Sequence, residues 1–95
     1  MALYSDRASS DPAMREFDDD MARINRREVE DRAAMPDGSW SLLSLASTEI
    51  ATETERAIAE AEAKRDANLV ARGLRMVRTQ LDDGAYWIDI QATAS

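Results

Sequence analysis

The sequence predicts a mainly α-helical chain, an antiparallel helical hairpin with one long second helix and a short C-terminal β-strand. Three observations carry this prediction. Apolar residues recur at helical steps on both sides of a single strong break, Pro36-Asp37-Gly38-Ser39. Charged residues make up 33% of the chain against only three Gly and two Pro, the composition of long solvated helices. The last residues switch to alternation, the period of a strand.

Residues 1–10 read as an arm with no sustained period, anchored only by Leu3 and Tyr4. Asp11-Pro12 opens the first helix, Asp11 as N-cap and Pro12 at the first helical position, where its missing N–H costs nothing. Met14, Phe17, Met21 and Ile24 form a narrow apolar stripe, and the helix is expected to run through Val29 and Ala33 to about Met35. Beyond the break, Ser39 or Ser41 can cap a second helix that starts at Trp40 or Ser41. It extends to about Leu81, where Asp82-Asp83-Gly84 stops it. Gly73 alone interrupts it, and a kink or second start near Ser47-Thr48 is an alternative. Leu43, Ala46, Ile50, Thr54, Ala57 and Ala61 make one stripe, and Val70, Leu74, Val77 and Leu81 a sharper one at heptad steps. In the tail, Tyr86, Ile88, Ile90 and Ala92 alternate with Trp87, Asp89, Gln91 and Thr93. The chain so divides into an arm (1–10), a hairpin (11–82) and a strand or tail (83–95).

If the helices fold back around the break, facing residues have numbers that sum to about 75, so Phe17 meets Ile58, Met21 meets Thr54 and Met14 meets Ala61. Roughly twenty residues of the second helix, on the order of 30 Å, then lack a helix beside them. Either the arm and tail fold back over this overhang, or another chain covers it. The second alternative is preferred, because a lone strand leaves its backbone N–H and C=O groups unpaired unless some sheet receives it. The residues expected to touch a partner are Val70, Leu74, Val77, Leu81, Tyr86, Trp87, Ile88 and Ile90.

Charge and composition narrow the function. Nineteen acidic against twelve basic residues give −7, which repels a polyanion, so no nucleic-acid partner is expected. There is no His and no Cys, and most familiar catalytic and metal sites need one or the other. No enzyme activity, cofactor, metal or small-molecule substrate is expected. No apolar stretch suggests a signal sequence or a membrane span, so the expected location is cytoplasmic or within a particle. Asp18-Asp19-Asp20 cannot converge on one cation from three directions of a helix and reads as a solvated face. Glu49, Glu53, Glu55, Glu60 and Glu62 precede Lys64, Arg65, Arg72, Arg75 and Arg78, an order that suits the helix dipole. It would also let two copies pair antiparallel about residue 64.

In size the hairpin is similar to the WXG100 secreted proteins. Their turn reads Trp-x-Gly where this one reads Gly38-Ser39-Trp40, and their export signal spaces Tyr and acid by four where Tyr86 and Asp89 are three apart. The chain is also similar in length to the encapsulated ferritins, but lacks the His of their iron site. The functional expectation is a non-enzymatic structural or assembly subunit of a multi-protein complex, a homo- or hetero-oligomer, with a phage virion or similar particle ranked first. The alternatives are an acidic regulator or inhibitor bound to a basic site on a partner, and a secreted helical hairpin.

Overall fold

A computed structural model describes residues 2–35 and 40–93, with the side chains of 40–42 outside the description. The elements run β1 (Ala2–Tyr4), α1 (Asp6–Ser10), α2 (Pro12–Ala33), α3 (Trp40–Ala71), β2 (Leu74–Gln80) and β3 (Tyr86–Ala92). The molecule is mainly helical, and its strands form one three-stranded sheet in the order β1-β3-β2.

The start of α2 follows from its first two residues. Asp11 has extended backbone, and its Oδ1 accepts from the Ala13 N–H at 2.9 Å, while Pro12 occupies the first turn. The arm expected over residues 1–10 is folded. Ser5 caps α1 by accepting from the Ala8 N–H, and β1 pairs in parallel with β3, Tyr4 opposite Ile88. The turn expected at 36–39 and the proposed Ser39 or Ser41 cap lie outside what is described. Past them α3 is continuous through Ser47 and Thr48. Thr48 and Thr52 spend their hydroxyls on the carbonyls four residues earlier, Ser44 and Thr48, and so do not open a new helix start.

The largest departure from the sequence reading is at the end of α3. The helix stops at Ala71, not near Leu81, because Gly73 sits at φ +70° and its N–H donates to the Val70 carbonyl at 3.0 Å, a left-handed C-terminal cap. Leu74 to Gln80 then run as a strand antiparallel to β3, with Leu74 opposite Ala92 and Gln80 opposite Tyr86. Asp82-Asp83-Gly84 is therefore a hairpin loop and not a helix stop. Gly84 has φ +84° and its N–H donates to Leu81 O, Leu81 N donates to Ala85 O, and the Asp83 carboxylate accepts from the Ala85 N–H. The tail is consequently not a lone strand: β3 lies at the centre of the sheet, between β1 and β2.

The two long helices pack with opposite sense. Lys64 reaches Glu16 and Asp20 near one end, and Arg32 reaches Ser47 toward the other. The register is displaced from the expected one by roughly one to two turns, and Phe17, expected against Ile58, lies under the guanidinium of Arg65 (4.4 Å to the ring centre). The core forms where α1, the start of α2 and the end of α3 meet one face of the sheet: Ala8, Ala13, Met14, Leu69, Ile88 and Ile90, with Tyr4, Leu74 and Met76 packed against it. Met14, Leu69 and Ile90 are its largest fully buried side chains, each contributing roughly 1.5–3 kcal/mol. Asp11 clamps the same junction by accepting from both terminal nitrogens of Arg72, at 2.7 and 3.1 Å, which ties the start of α2 to the last turn of α3.

Candidate functional site

A strand places successive side chains on opposite faces, so the register divides the sheet in two. Tyr4, Leu74, Met76, Ile88 and Ile90 face the helices. Leu3, Arg75, Val77, Thr79, Trp87, Asp89 and Gln91 face away, and no described element lies over them. Leu3 sits beside Trp87, and Trp87 beside Thr79, in one row across all three strands. Val77 occupies the next position of this face along β2. Leu3 is 39% exposed and Trp87 41%, while Val77 is half-buried by its neighbours.

The eight residues singled out from the sequence separate under this geometry. Ile88 and Ile90 are buried in the chain's own core, and Leu74 packs against it, so they are not free for a partner. Val70 lies on the last turn of α3 and is 72% exposed. Val77 and Trp87 share the outer face. Leu81 is half-buried at the hairpin loop, and Tyr86 stands at the rim with the Arg78 guanidinium 5.2 Å from its ring centre. The heptad stripe thus dissolves, since only Val70 of its four residues is helical. Antiparallel pairing of two copies along a helix reaching Arg75 and Arg78 goes with it, because both arginines are on β2. Leu3 was read only as an anchor for the arm. Its place beside Trp87 depends on a parallel pairing between the two ends of the chain, which has no local signal.

Electrostatics outside the sheet serve the fold. Asp20, 4% exposed, departs from the solvated face expected for Asp18-Asp19-Asp20. Its carboxylate lies 2.6 Å from Lys64 Nζ and 2.9 Å from Arg23, and the hydrogen bond from Lys64, helped by Arg23, holds its pKa below the ordinary carboxylate range against the effect of burial. Asp18 instead accepts from the Tyr4 hydroxyl, whose pKa is raised by burial and by that neighbouring carboxylate. Asp89 accepts from Ser5 Oγ at 2.7 Å and from the Ile90 N–H, and both bonds lower its pKa. The cleft between α2 and α3, about 500 Å³, is lined by acids and bases together, among them Asp20, Arg23, Glu53, Arg56, Glu60 and Lys64. Among the described residues no three acidic side chains gather as ligands for a metal ion.

No protein-family model matches the sequence, and neither a curated protein nor a solved structure matches it. No described helix is long and apolar enough to cross a membrane.

Proposed function

We propose that this protein is a non-enzymatic assembly subunit that joins other protein chains through the open face of its sheet. One observation carries the reading: Leu3, Val77 and Trp87, an aliphatic pair and an indole from three different strands, share the face that no helix covers, Leu3 directly beside Trp87 and Val77 diagonal to it. A sheet face left to water usually carries polar side chains, as Arg75, Thr79, Asp89 and Gln91 are here, and an exposed indole beside a leucine among them is the kind of apolar patch that marks a contact surface. The site differs from the one expected from the sequence, since it lies across the sheet and not along a helix. The kind of function is the same. A particle such as a phage virion, in the cytoplasm or assembled there, remains the first-ranked setting, and the partner is another copy or a different chain.

The test uses Trp87→Thr and Leu3→Thr, which keep strand propensity and remove the apolar surface. Assembly, measured as the native mass of the complex in which the chain elutes from its source, should be lost or much reduced. Thermal stability of the isolated chain should change by less than about 1 kcal/mol, the span of strand propensities. Unchanged assembly in both variants would overturn the proposal.

A further inference from the structure

Charge along β2 and the loop after it has a polarity. Residues 67–81 hold Arg72, Arg75 and Arg78 and no acid, and the loop that follows holds Asp82 and Asp83. Arg72 is bound by Asp11. Arg75, Asp82 and Asp83 are exposed and, among the described residues, take part in no ion pair. A strand that is basic where it begins and acidic just past its end complements itself when two copies run antiparallel.

The backbone of β2 permits that pairing in one full-length register. Thr93 N donates to Gly73 O and Leu81 N to Ala85 O, so the odd-numbered residues of β2 bond to β3. Leu74, Met76, Arg78 and Gln80 turn their N–H and C=O outward, where among the described residues no strand receives them. Centred on Val77, all seven residues of both strands pair: Leu74 lies opposite Gln80 of the second copy, Arg75 opposite Thr79, Met76 opposite Arg78, and Val77 opposite Val77. Outward-bonding residues then meet outward-bonding residues, and no arginine stands opposite another, as it would in a register centred on Arg75 or Arg78. Continued past the strand ends, the same register brings Arg72 and Arg75 of each copy toward the Asp82-Asp83 loop of the other. Arg78 lies nearest the two-fold axis on the helix side, and its guanidinium leans over Tyr86 of its own chain (5.2 Å to the ring centre), away from the edge and from its counterpart. On the outer face the two Val77 side chains form a close pair between β-branched residues, which joins the two three-stranded sheets into one.

We infer that two copies of this chain join edge to edge through β2, antiparallel about Val77, with the arginines at the start of each strand facing the aspartates beyond the end of the other. This rests on the assembly reading and names one of the chains assembled as a second copy. The full chain should sediment as a dimer. It has no cysteine, so a single introduced thiol reports the register. Val77→Cys sets two thiols across a non-hydrogen-bonded pair, Cα atoms about 4.5 Å apart, and mild oxidation should link the copies. Thr79→Cys should not link, because the two Cys at 79 would be about 14 Å apart along the strands. Arg75→Glu should weaken the dimer about tenfold, and adding Asp82→Arg should restore it; within one chain the two residues lie at opposite ends of β2, so the rescue is between copies. Thermal melts of each variant show that it is folded. A wild-type chain that stays monomeric at every concentration, linking at 79 as ready as at 77, or no rescue by the double reversal overturns the inference. If the edge pairing fails while Trp87→Thr still abolishes assembly, the outer-face reading stands. If Val77→Cys links while Trp87→Thr leaves assembly unchanged, the outer-face reading falls alone.

Discussion

Asp11 accepts from the Ala13 N–H as the cap of α2 and from the Arg72 fork that closes the far end of α3. The hydrogen bonds from Arg72 are the main reason its pKa lies below the usual value, burial opposing them. A carboxylate with a depressed folded pKa adds stability that is present above its unfolded pKa and is lost as pH falls through the folded one. Asp20 and Asp89 are depressed in the same direction. The melting temperature should therefore fall as pH drops below about 4, where unfolded carboxyls take up protons. Asp11→Asn keeps a good cap and removes the charge, so its melting curve should depend less on pH; an identical dependence would exclude Asp11 as a source of the effect. Packing at single residues is ordered just as plainly. Met14 is fully buried, whereas Phe17 is half-buried beneath Arg65. Denaturant titration should give a loss of about 2–5 kcal/mol for Met14→Ala. Phe17→Ala should cost about 1–2 kcal/mol, from partial burial and the cation–π contact. A larger loss at Phe17 would contradict the observed helix register.

Each element depends on its neighbours to a different degree. β3 sits between β1 and β2, and its Ile88 and Ile90 are core residues. Removing residues 83–95 should therefore destabilise the isolated chain and abolish its cooperative melt, monitored by circular dichroism, and not merely weaken association. A truncated chain with unchanged melting would refute the central position of β3. Gly73 tests the end of α3 in isolation. A Cβ added there meets nothing within 4 Å, so the cost of Gly73→Ala, about 1 kcal/mol, comes from the positive φ alone. The two long helices are unequal along their length. Buried positions on α2 end at Ile24 and those described on α3 begin at Ala61, so past these points the helices are held by half-buried side chains such as Ile50, Ala57 and Ile58. Hydrogen exchange should be slow in the central strand β3 and at residues 61–69, and faster at 25–33 and 43–55, which open without global unfolding. Uniform protection along both helices would be the contrary result.

At the scale of the molecule, the fold has a packed end and a projecting end. Its extents are 57 × 32 × 19 Å and its radius of gyration is 17.1 Å. A compact chain of this length would have about 12 Å. The surface assigned to partners, the outer face of the sheet, belongs to the packed end. There the backbone is held by three strands and the Asp11–Arg72 clamp, and a contact surface on rigid elements loses little conformational entropy on binding. The helical projection carries Glu28, Glu30, Asp31, Glu49, Glu53, Glu55 and Glu60.

What the sequence determined by itself is local. Asp11-Pro12 specified a helix start because cap and ring act within one turn, apolar steps specified both long helices, and alternation from Tyr86 specified a strand. Gly73 and Asp82-Asp83-Gly84 also carried the correct local message, a helix end and a hairpin loop. The heptad spacing of Val70, Leu74, Val77 and Leu81 competed with that message, since in this short segment the apolar residues fit a helical step as readily as a strand. Tertiary structure decided between them. Leu74 and Met76 gain burial against the core only as a strand, and β3 needs a neighbour to bond its backbone. The same is true of the arm: Leu3 and Tyr4 have no period of their own, and they become β1 because the edge of β3, more than eighty residues away, supplies the missing hydrogen bonds. The proposed contact face follows from those pairings, which depend on long-range bonding that no window of the sequence contains.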